Sequence, residues 1–183
     1  PGQRHHHYRG RAVTIKPKQH GAPEPKIARM LATWFSTGDL PGAPGTWGSL
    51  AALPFALFAV VIGGQFLLMA LILIGFVVGV WASGQLATFH RLQDPQRVVI
   101  DEVVGQWLAV LPLALDWRYY PVAFVLFRFA DITKPWPLKD LEKLHGGVGI
   151  MADDIGAGVY AGFLTWLIAV WLGSQTTIPT LFG

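Results

Sequence analysis

The sequence predicts an all-α integral membrane bundle of about five apolar helices, some of them short or hairpin-like. Of the 183 residues, 52% are hydrophobic and 14% are charged, and the mean hydropathy is +0.44, a composition that is unusual for a small soluble domain. Charged residues are absent from Leu40 to His90 and again after Asp154. The absence of cysteine excludes disulfides, thiolate metal sites and cysteine nucleophiles.

Five apolar segments account for the predicted helices, at 50–62, 66–82, 103–115, 119–127 and 155–172. A helix needs about 20 residues to cross a bilayer, so only the second and the last approach a full span alone. The others can extend through uncharged neighbours, as 43–62 does, or form hairpins buried in protein. Asp116, Trp117 and Arg118 would then be the polar tip of one hairpin. The alternative is a soluble all-helical protein with two very apolar core helices.

The first 28 residues show neither helical nor strand periodicity, which predicts a flexible basic tail followed by a single helical domain over 29–183. Seven basic residues precede the first apolar segment. By the positive-inside rule the tail lies in the cytoplasm, which leaves thirteen basic residues on that side and only Arg118 on the other. The basic residues form no stripe, so the expected partner is a lipid bilayer and not nucleic acid.

Four polar clusters fall on the predicted cytoplasmic side, at 41–49, 100–105, 127–135 and 149–154. The first is rich in glycine and proline, and Thr46 or Ser49 is a candidate N-cap for the helix that follows. A helix N-terminus can also receive a phosphate through its free N–H groups. The simpler interpretation of this cluster alone is a turn plus a cap.

Acidic residues begin two of the predicted helices. Asp101 can act as a helix cap, but Glu102 points about 100° away and would need a cation or another partner inside the bundle. Asp153 and Asp154 precede the last apolar segment, where one aspartate would be enough for capping. A second aspartate beside it adds repulsion unless a cation binds, so these residues are candidate metal ligands.

Arg128, Asp131 and Lys134 are spaced three residues apart and share one helix face. Pro135 then ends the helix, which leaves Lys134 at its C-terminus. A salt-bridged surface helix is the simple interpretation of this pattern. The functional interpretation has Arg128 and Lys134 binding phosphate while Asp131 binds metal.

Together, the clusters predict a site for phosphate-ester chemistry on a lipid headgroup. An oxygen-only donor set without cysteine indicates Mg²⁺ rather than Zn²⁺. Only two histidines lie outside the tail, so a carboxylate is the expected general base. The candidate metal ligands are Asp101, Glu102, Asp131, Asp153 and Asp154. The candidate catalytic residues are Asp101, Glu102, Asp131 and Asp154, and the candidate substrate-binding residues are Arg128, Lys134, Thr46 and Ser49.

These clusters resemble the motifs of the phosphatidylglycerophosphatase A family, in the family's order and over residues 31–172. The segments are APGTWGS (43–49), IDEVVG (100–105), FRFADITKPWP (127–137) and GIMADDIGAG (149–158). The resemblance implies a Mg²⁺-dependent enzyme of the bacterial inner membrane that removes the terminal phosphate of phosphatidylglycerol phosphate. It also implies that the five carboxylates bind metal and that Arg128 and Lys134 contact phosphate. Asp39 has no counterpart in the expected pattern and is left out of the site.

Two other functions compete with the phosphatase. A CDP-alcohol phosphotransferase is also a small membrane enzyme that uses carboxylates and a divalent metal, but its aspartate spacings, D-x-x-D-G and G-x-x-x-D-x-x-x-D, are absent here. A small transporter subunit would carry charges midway along its helices. Here the charges cluster at the ends of the apolar segments.

Overall fold

The computed structural model describes residues 23–141 and 144–173. Over these ranges the chain is all-α, as predicted, and contains no strand. The six helices are α1 (Lys26–Ala32), α2 (Pro44–His90), α3 (Ile100–Val110), α4 (Tyr120–Thr133), α5 (Leu138–Leu141) and α6 (Gly146–Gly173). Short 3-10 turns lie at Thr37–Asp39, Leu111–Leu113 and Trp117–Tyr119.

α2 is interrupted at Gly63 and Gly64, where the backbone leaves helical geometry. Gly63 has φ −137° and ψ 15°, and Gly64 has φ 64° and ψ −167°. The conformation of Gly64 is one that only glycine adopts readily. The break lies between the first two predicted apolar segments, and it divides α2 into two helical halves at 44–62 and 65–90.

The contacts of α3 show that the two halves of α2 run antiparallel. Gly48 and Gly79 both lie against the start of α3, whereas Ala52 and Gly75 both lie against Trp107 two turns later. The indole Nε1 of Trp107 donates a hydrogen bond to the Ala52 carbonyl at 2.9 Å. In each pair, the two residues are equally far from the break along the sequence. The two halves therefore form a hairpin, and α3 packs against it.

A second hairpin joins α3 to α4 through the predicted polar tip. The Asp116 carboxylate accepts hydrogen bonds from Nε and Nη2 of Arg118 at 2.8 and 2.7 Å. These bonds hold the pKa of Asp116 below its usual value. Gly105 of α3 lies directly against the Phe127 ring of α4, so the two helices of this hairpin pack closely against each other.

Glycines let α6 approach its neighbours closely. A Cβ on Gly158 would collide with the Gly105 carbonyl of α3, and a Cβ on Gly147 would collide with the Val80 carbonyl of α2. Such close backbone approach is a common use of small residues between apolar helices. It places the first half of α6 beside α3 and the second half of α2.

α2 and α6 are the two helices, among the described residues, that are long and apolar enough to cross a membrane. Only 22% and 28% of their most apolar 18-residue windows are buried. Phe58, Phe66, Val77, Phe163 and Trp171 are among the large apolar side chains that remain exposed. Core helices of a soluble protein would be mostly buried. Both helices therefore expose apolar surface that the core helices of the soluble alternative would bury.

The predicted tail over residues 1–28 falls largely outside the described residues. Its last three residues differ from the prediction, because 26–28 already form the start of α1. Glu24 is also held in place, since its carboxylate lies 2.8 Å from His90 Nε2 and 3.4 Å from Arg29 Nη1. Residues 24–28, which the prediction assigned to the tail, thus include the start of a helix and a carboxylate with ionic partners.

Candidate active site

One end of the bundle carries a polar cavity of about 530 Å³. It lies where α3 and α6 begin and where α4 ends, so residues far apart in sequence share its wall. The lining residues are Gln93, Asp94, Asp101, Glu102, Asp131, Lys134, Lys139, Leu144, Gly149, Ile150, Asp153 and Asp154. All five predicted metal carboxylates are among them.

Three of these carboxylates form a tight group at the base of the cavity. Asp101, Glu102 and Asp154 each offer an oxygen, and these oxygens all lie within 4.8 Å of one another. Asp101 and Asp154 are 7% and 3% exposed. Burial, followed by the charge of Glu102, raises the pKa of Asp101 well above its usual range. Such a group needs a cation or protons to relieve its mutual repulsion.

Helix capping does not explain these acidic residues. α6 begins at Gly146 and not beside the aspartates, so Asp153 and Asp154 lie about two turns inside the helix. The N-cap of α3 is Val99, while Asp101 lies in the first turn, where its Oδ1 accepts a hydrogen bond from the Glu102 amide at 3.0 Å. The capping interpretation is wrong for Asp153 and Asp154, whereas Asp101 accepts a first-turn amide without being the N-cap residue.

Two cations face the carboxylates from α4, as the spacing predicts. Arg128 Nη1 lies 3.0 Å from Asp131 Oδ2, on the same helix face. Lys134 is the C-cap of α4 in the left-handed conformation, with φ 43°, and its Nζ donates to Asp153 Oδ2 at 2.7 Å. Each predicted phosphate contact is therefore paired with an aspartate of the site.

A second cavity of about 340 Å³ lies on the other side of Asp101 and Glu102. It is lined by Gly42, Ala43, Pro44, Gly45, Asp94, Gln96, Val98, Asp101, Glu102 and Arg128. Asp94, Asp101 and Glu102 line both cavities. The two carboxylates of α3 therefore stand between a space that contains Arg128 and a space that contains Lys134 and Lys139.

The first turn of α2 borders this second cavity, but not through the predicted caps. α2 begins at Pro44 after the N-cap residue Ala43, so Thr46 and Ser49 lie inside the helix, and the N-cap prediction is wrong. Ser49 Oγ donates to the Gly45 carbonyl at 2.8 Å and accepts a bond from Arg128 Nη1 at 3.3 Å. Ser49 therefore contacts the site through Arg128, whereas Thr46 lines neither cavity.

Several site residues escaped the sequence analysis. Asp94 lines both cavities from the loop between α2 and α3, and Lys139 of α5 adds a third cation. The polar segment LQDPQ (92–96) lies directly before the second cluster and could have indicated that Asp94 belongs to the site. Asp39 lines neither cavity. Its carboxylate pairs with Arg29 at 3.0 Å and with Arg97 at 3.6 Å.

Comparisons with known proteins show which family the chain resembles. The profile of the family described as phosphatidylglycerophosphatase A matches residues 30–169. The phosphatidylglycerophosphatase A of Escherichia coli is 34% identical over 163 residues, which cover 85% of this chain and 94% of that protein. The phosphatidylglycerophosphatase A of Haemophilus influenzae is 36% identical and covers 78% of this chain and 89% of its own length.

A third relative carries a different name. A Bacteroides thetaiotaomicron protein, whose name proposes a phosphatidylinositol-3-phosphatase, is 38% identical over 156 residues, which cover 78% of this chain and 93% of that protein. No solved structure matches the chain. The profile match spans all four polar clusters, and two relatives are 34% and 36% identical over 85% and 78% of the chain. On these grounds the chain belongs to the phosphatidylglycerophosphatase A family.

Proposed function

We propose that this chain is a Mg²⁺-dependent phosphatidylglycerophosphatase, which hydrolyses the phosphomonoester of phosphatidylglycerol phosphate to phosphatidylglycerol and phosphate. The observation that carries the proposal is the group formed by Asp101, Glu102 and Asp154, whose oxygens lie within 4.8 Å of one another beside a cavity with basic side chains. Carboxylates and cations together suit a phosphate group and a metal ion in one place. Family membership supplies the substrate class.

The donor set fits a hard divalent cation. Its ligand atoms are carboxylate oxygens, and neither cavity is lined by histidine or cysteine among the described residues. Asp101, Glu102 and Asp154 would hold the ion, with Asp131 and Asp153 beside them. When bound, Mg²⁺ would neutralise charge on phosphate oxygens and make a bound water more acidic.

The basic residues prepare the cavity for phosphate. Arg128 and Lys134 are charged and already positioned by Asp131 and Asp153. An entering phosphomonoester would compete with these aspartates for the two cations, and it would accept hydrogen bonds from the guanidinium and the ammonium. Lys139 adds positive charge to the cavity that Lys134 lines, whereas Arg128 lines the second cavity. These groups would stabilise the negative charge that shifts onto the leaving oxygen.

A carboxylate would accept the proton of the attacking water. General bases are most often histidine, aspartate or glutamate, and no histidine lines either cavity among the described residues. Asp101, Glu102, Asp131 and Asp154 are the proposed catalytic residues, and Arg128, Lys134, Thr46 and Ser49 the proposed substrate-binding residues. Of the latter, Thr46 has the weakest support, since it lines neither cavity.

The membrane placement is part of the proposal. The two halves of α2 and the whole of α6 would cross the bacterial inner membrane, with the carboxylates at the cytoplasmic face. The proposal also keeps residues 29–183 as one domain after a basic tail. It is supported by the exposed apolar surface of both helices and by the excess of basic residues at the cavity end. The substrate's headgroup would then lie at the level of the site.

The test is phosphate release by the purified full chain in detergent. Phosphatidylglycerol phosphate with Mg²⁺ should release inorganic phosphate, and a chelator should stop the reaction. Phosphatidylinositol 3-phosphate is assayed as a second substrate, because the name of one relative refers to a phosphatidylinositol-3-phosphatase. CDP-diacylglycerol with an alcohol acceptor tests the phosphotransferase alternative. Release from neither phosphomonoester across several detergents and divalent metals would reject the enzyme assignment.

A further inference from the structure

Gln106 is a buried polar residue near the carboxylates to which the mechanism assigns no role. It lies in the second turn of α3 and is 0% exposed. Neither its side-chain oxygen nor its side-chain nitrogen has a hydrogen-bond partner among the described residues. Buried amides are nearly always hydrogen-bonded, so this side chain requires an explanation.

The residues on either side show where Gln106 points. Gly105 lies against Phe127 of α4, whereas Trp107 donates its hydrogen bond to Ala52 of α2. Consecutive helical residues are about 100° apart, so the side chain between these two enters the space between α2 and α4. Glu102 lies one turn earlier on the same face of α3.

Two other buried atoms lack partners on this side of α3. They are Oε2 of Glu102 and Nε of Arg128. The two side chains are neighbours, because a Cβ added to Gly45 would collide with Glu102 Oε1 and lie 3.2 Å from Arg128 Nη1. Glu102 Oε2 needs a donor and Arg128 Nε–H needs an acceptor. A carboxamide has both, through its NH₂ group and its oxygen.

We infer that Gln106 is a positioning residue, which holds ordered water between α2, α3 and α4 and connects through it to Glu102 and Arg128. Buried waters bridge polar groups that otherwise lack partners and make about three hydrogen bonds each. The network fixes the Glu102 carboxylate in the triad and the Arg128 guanidinium beside the second cavity. This inference rests on the proposed function for its catalytic consequence, but its structural part concerns this chain alone.

The test compares two substitutions with a matched control. Gln106→Met keeps the length of the side chain and removes its donor and acceptor. Gln106→Asn keeps the amide and leaves room for one more water. The control is Thr165→Val in α6, since Thr165 is also buried, at 1% exposed, and its hydroxyl bonds within its own helix to Ala161 at 2.7 Å. Melting temperature identifies variants that do not fold.

The measurements are the Mn²⁺ dissociation constant by electron paramagnetic resonance, and kcat and KM for phosphate release. Gln106→Met should weaken Mn²⁺ binding and lower kcat by about tenfold or more, as loss of residues behind metal ligands does, with a smaller change in KM. Gln106→Asn should retain clearly more of both, and Thr165→Val should match the wild type. A structure that shows waters should place one within hydrogen-bond distance of Gln106 and Glu102.

Failure of this inference can be separated from failure of the proposed function. The inference is overturned if folded Gln106→Met protein keeps wild-type Mn²⁺ affinity and turnover, or if the Met and Asn variants lose equally much. Either result would leave the proposed function standing. A dry interior around Gln106 in a structure that resolves waters would overturn it even if no variant folds. Mn²⁺ binding that depends on Gln106, without phosphate release by the wild type, would reject the phosphatase and keep the inference. No Mn²⁺ binding by the wild type would reject the proposed metal site, and the water bridge would then stand or fall on the structure that resolves waters.

Discussion

Gly45, in the first turn of α2, lies directly against the carboxylate of Glu102, in the first turn of α3. A Cβ at position 45 would collide with Glu102 Oε1. The start of α2 therefore sets how far this carboxylate can move, and the absence of a side chain at residue 45 is what lets it reach the triad.

Gly45→Ala should lower turnover sharply and destabilise the protein by about 1–3 kcal/mol, because the methyl group displaces Glu102 within a packed site. Gly84→Ala is the matched control, since its methyl group would lie 3.4 Å from the closest atom, the Gly147 amide nitrogen. Phosphate release and thermal unfolding check both variants. Normal turnover in Gly45→Ala would show that the position of Glu102 is not critical.

Substituting the site carboxylates tests the metal directly. Asp101→Asn, Asp131→Asn and Asp154→Asn should each lower kcat by about 100-fold while the protein remains folded, as expected when a metal ligand or its support is lost. Asp39→Asn is the control, because Asp39 pairs with Arg29 and Arg97 and lines neither cavity. Near-normal phosphate release by any of the first three would remove that residue from the site.

Arg128→Lys should reduce kcat/KM by about tenfold or more, although the charge is kept. A lysine cannot reproduce the planar guanidinium, which here lies 3.0 Å from Asp131 and 3.3 Å from Ser49 through the same nitrogen. Arg118→Lys at the opposite hairpin tip is the matched substitution and should leave kinetics unchanged. Equal kinetics for the two variants would mean that charge alone suffices at position 128.

The pair formed by Asp116 and Arg118 predicts a small acid-dependent effect on stability. Arg118 holds the pKa of Asp116 below its unfolded value of about 3.9. The folded state therefore gains stability above that value and loses it as the pH falls through the lowered pKa. Asp116→Asn should melt slightly below the wild type at neutral pH, and the difference should vanish in acid. Melting curves from pH 2 to 7 test this, and a constant difference would contradict it.

The proposed orientation can be tested with single cysteines, because the chain has none of its own. Gln65→Cys and Trp117→Cys, at the two hairpin tips, should react with an impermeant maleimide added outside intact cells. Leu92→Cys, in the loop that leads to the cavity, should react only after the membrane is opened. Labelling of Leu92→Cys in intact cells would place the site on the outer face.

The sequence was sufficient to predict the break points of the two hairpins and the grouping of most acidic and basic side chains at one end of the bundle. The turn at Gly63 and the tip at Asp116 could be predicted because each interrupts an apolar run with residues that favour turns. The carboxylates and cations could be assigned to one end because the charges occur only where apolar segments begin or end. Because successive helices run in opposite directions, these segment ends were then expected to lie together.

The start of α6 could not be predicted in this way. Residues 146–149 contain three glycines, GGVG, and glycine weakens helices locally. Packing outweighs that preference, since Gly147 and Gly149 meet the carbonyls of Val80 and Leu144 where no side chain would fit. The helix therefore starts two turns early and carries Asp154 into the bundle. Gln106 was missed for a related reason, because one polar residue in an apolar helix gives no periodic signal.

The division of the triad between α3 and α6 has a consequence for how the protein matures. Asp101 and Glu102 leave the ribosome long before Asp154, which completes the triad from α6. A nascent chain that lacks α6 thus has an incomplete triad. Under the proposed function, catalytic competence arises late in biosynthesis, when the last helix docks, and chains that terminate before residue 154 should be inactive.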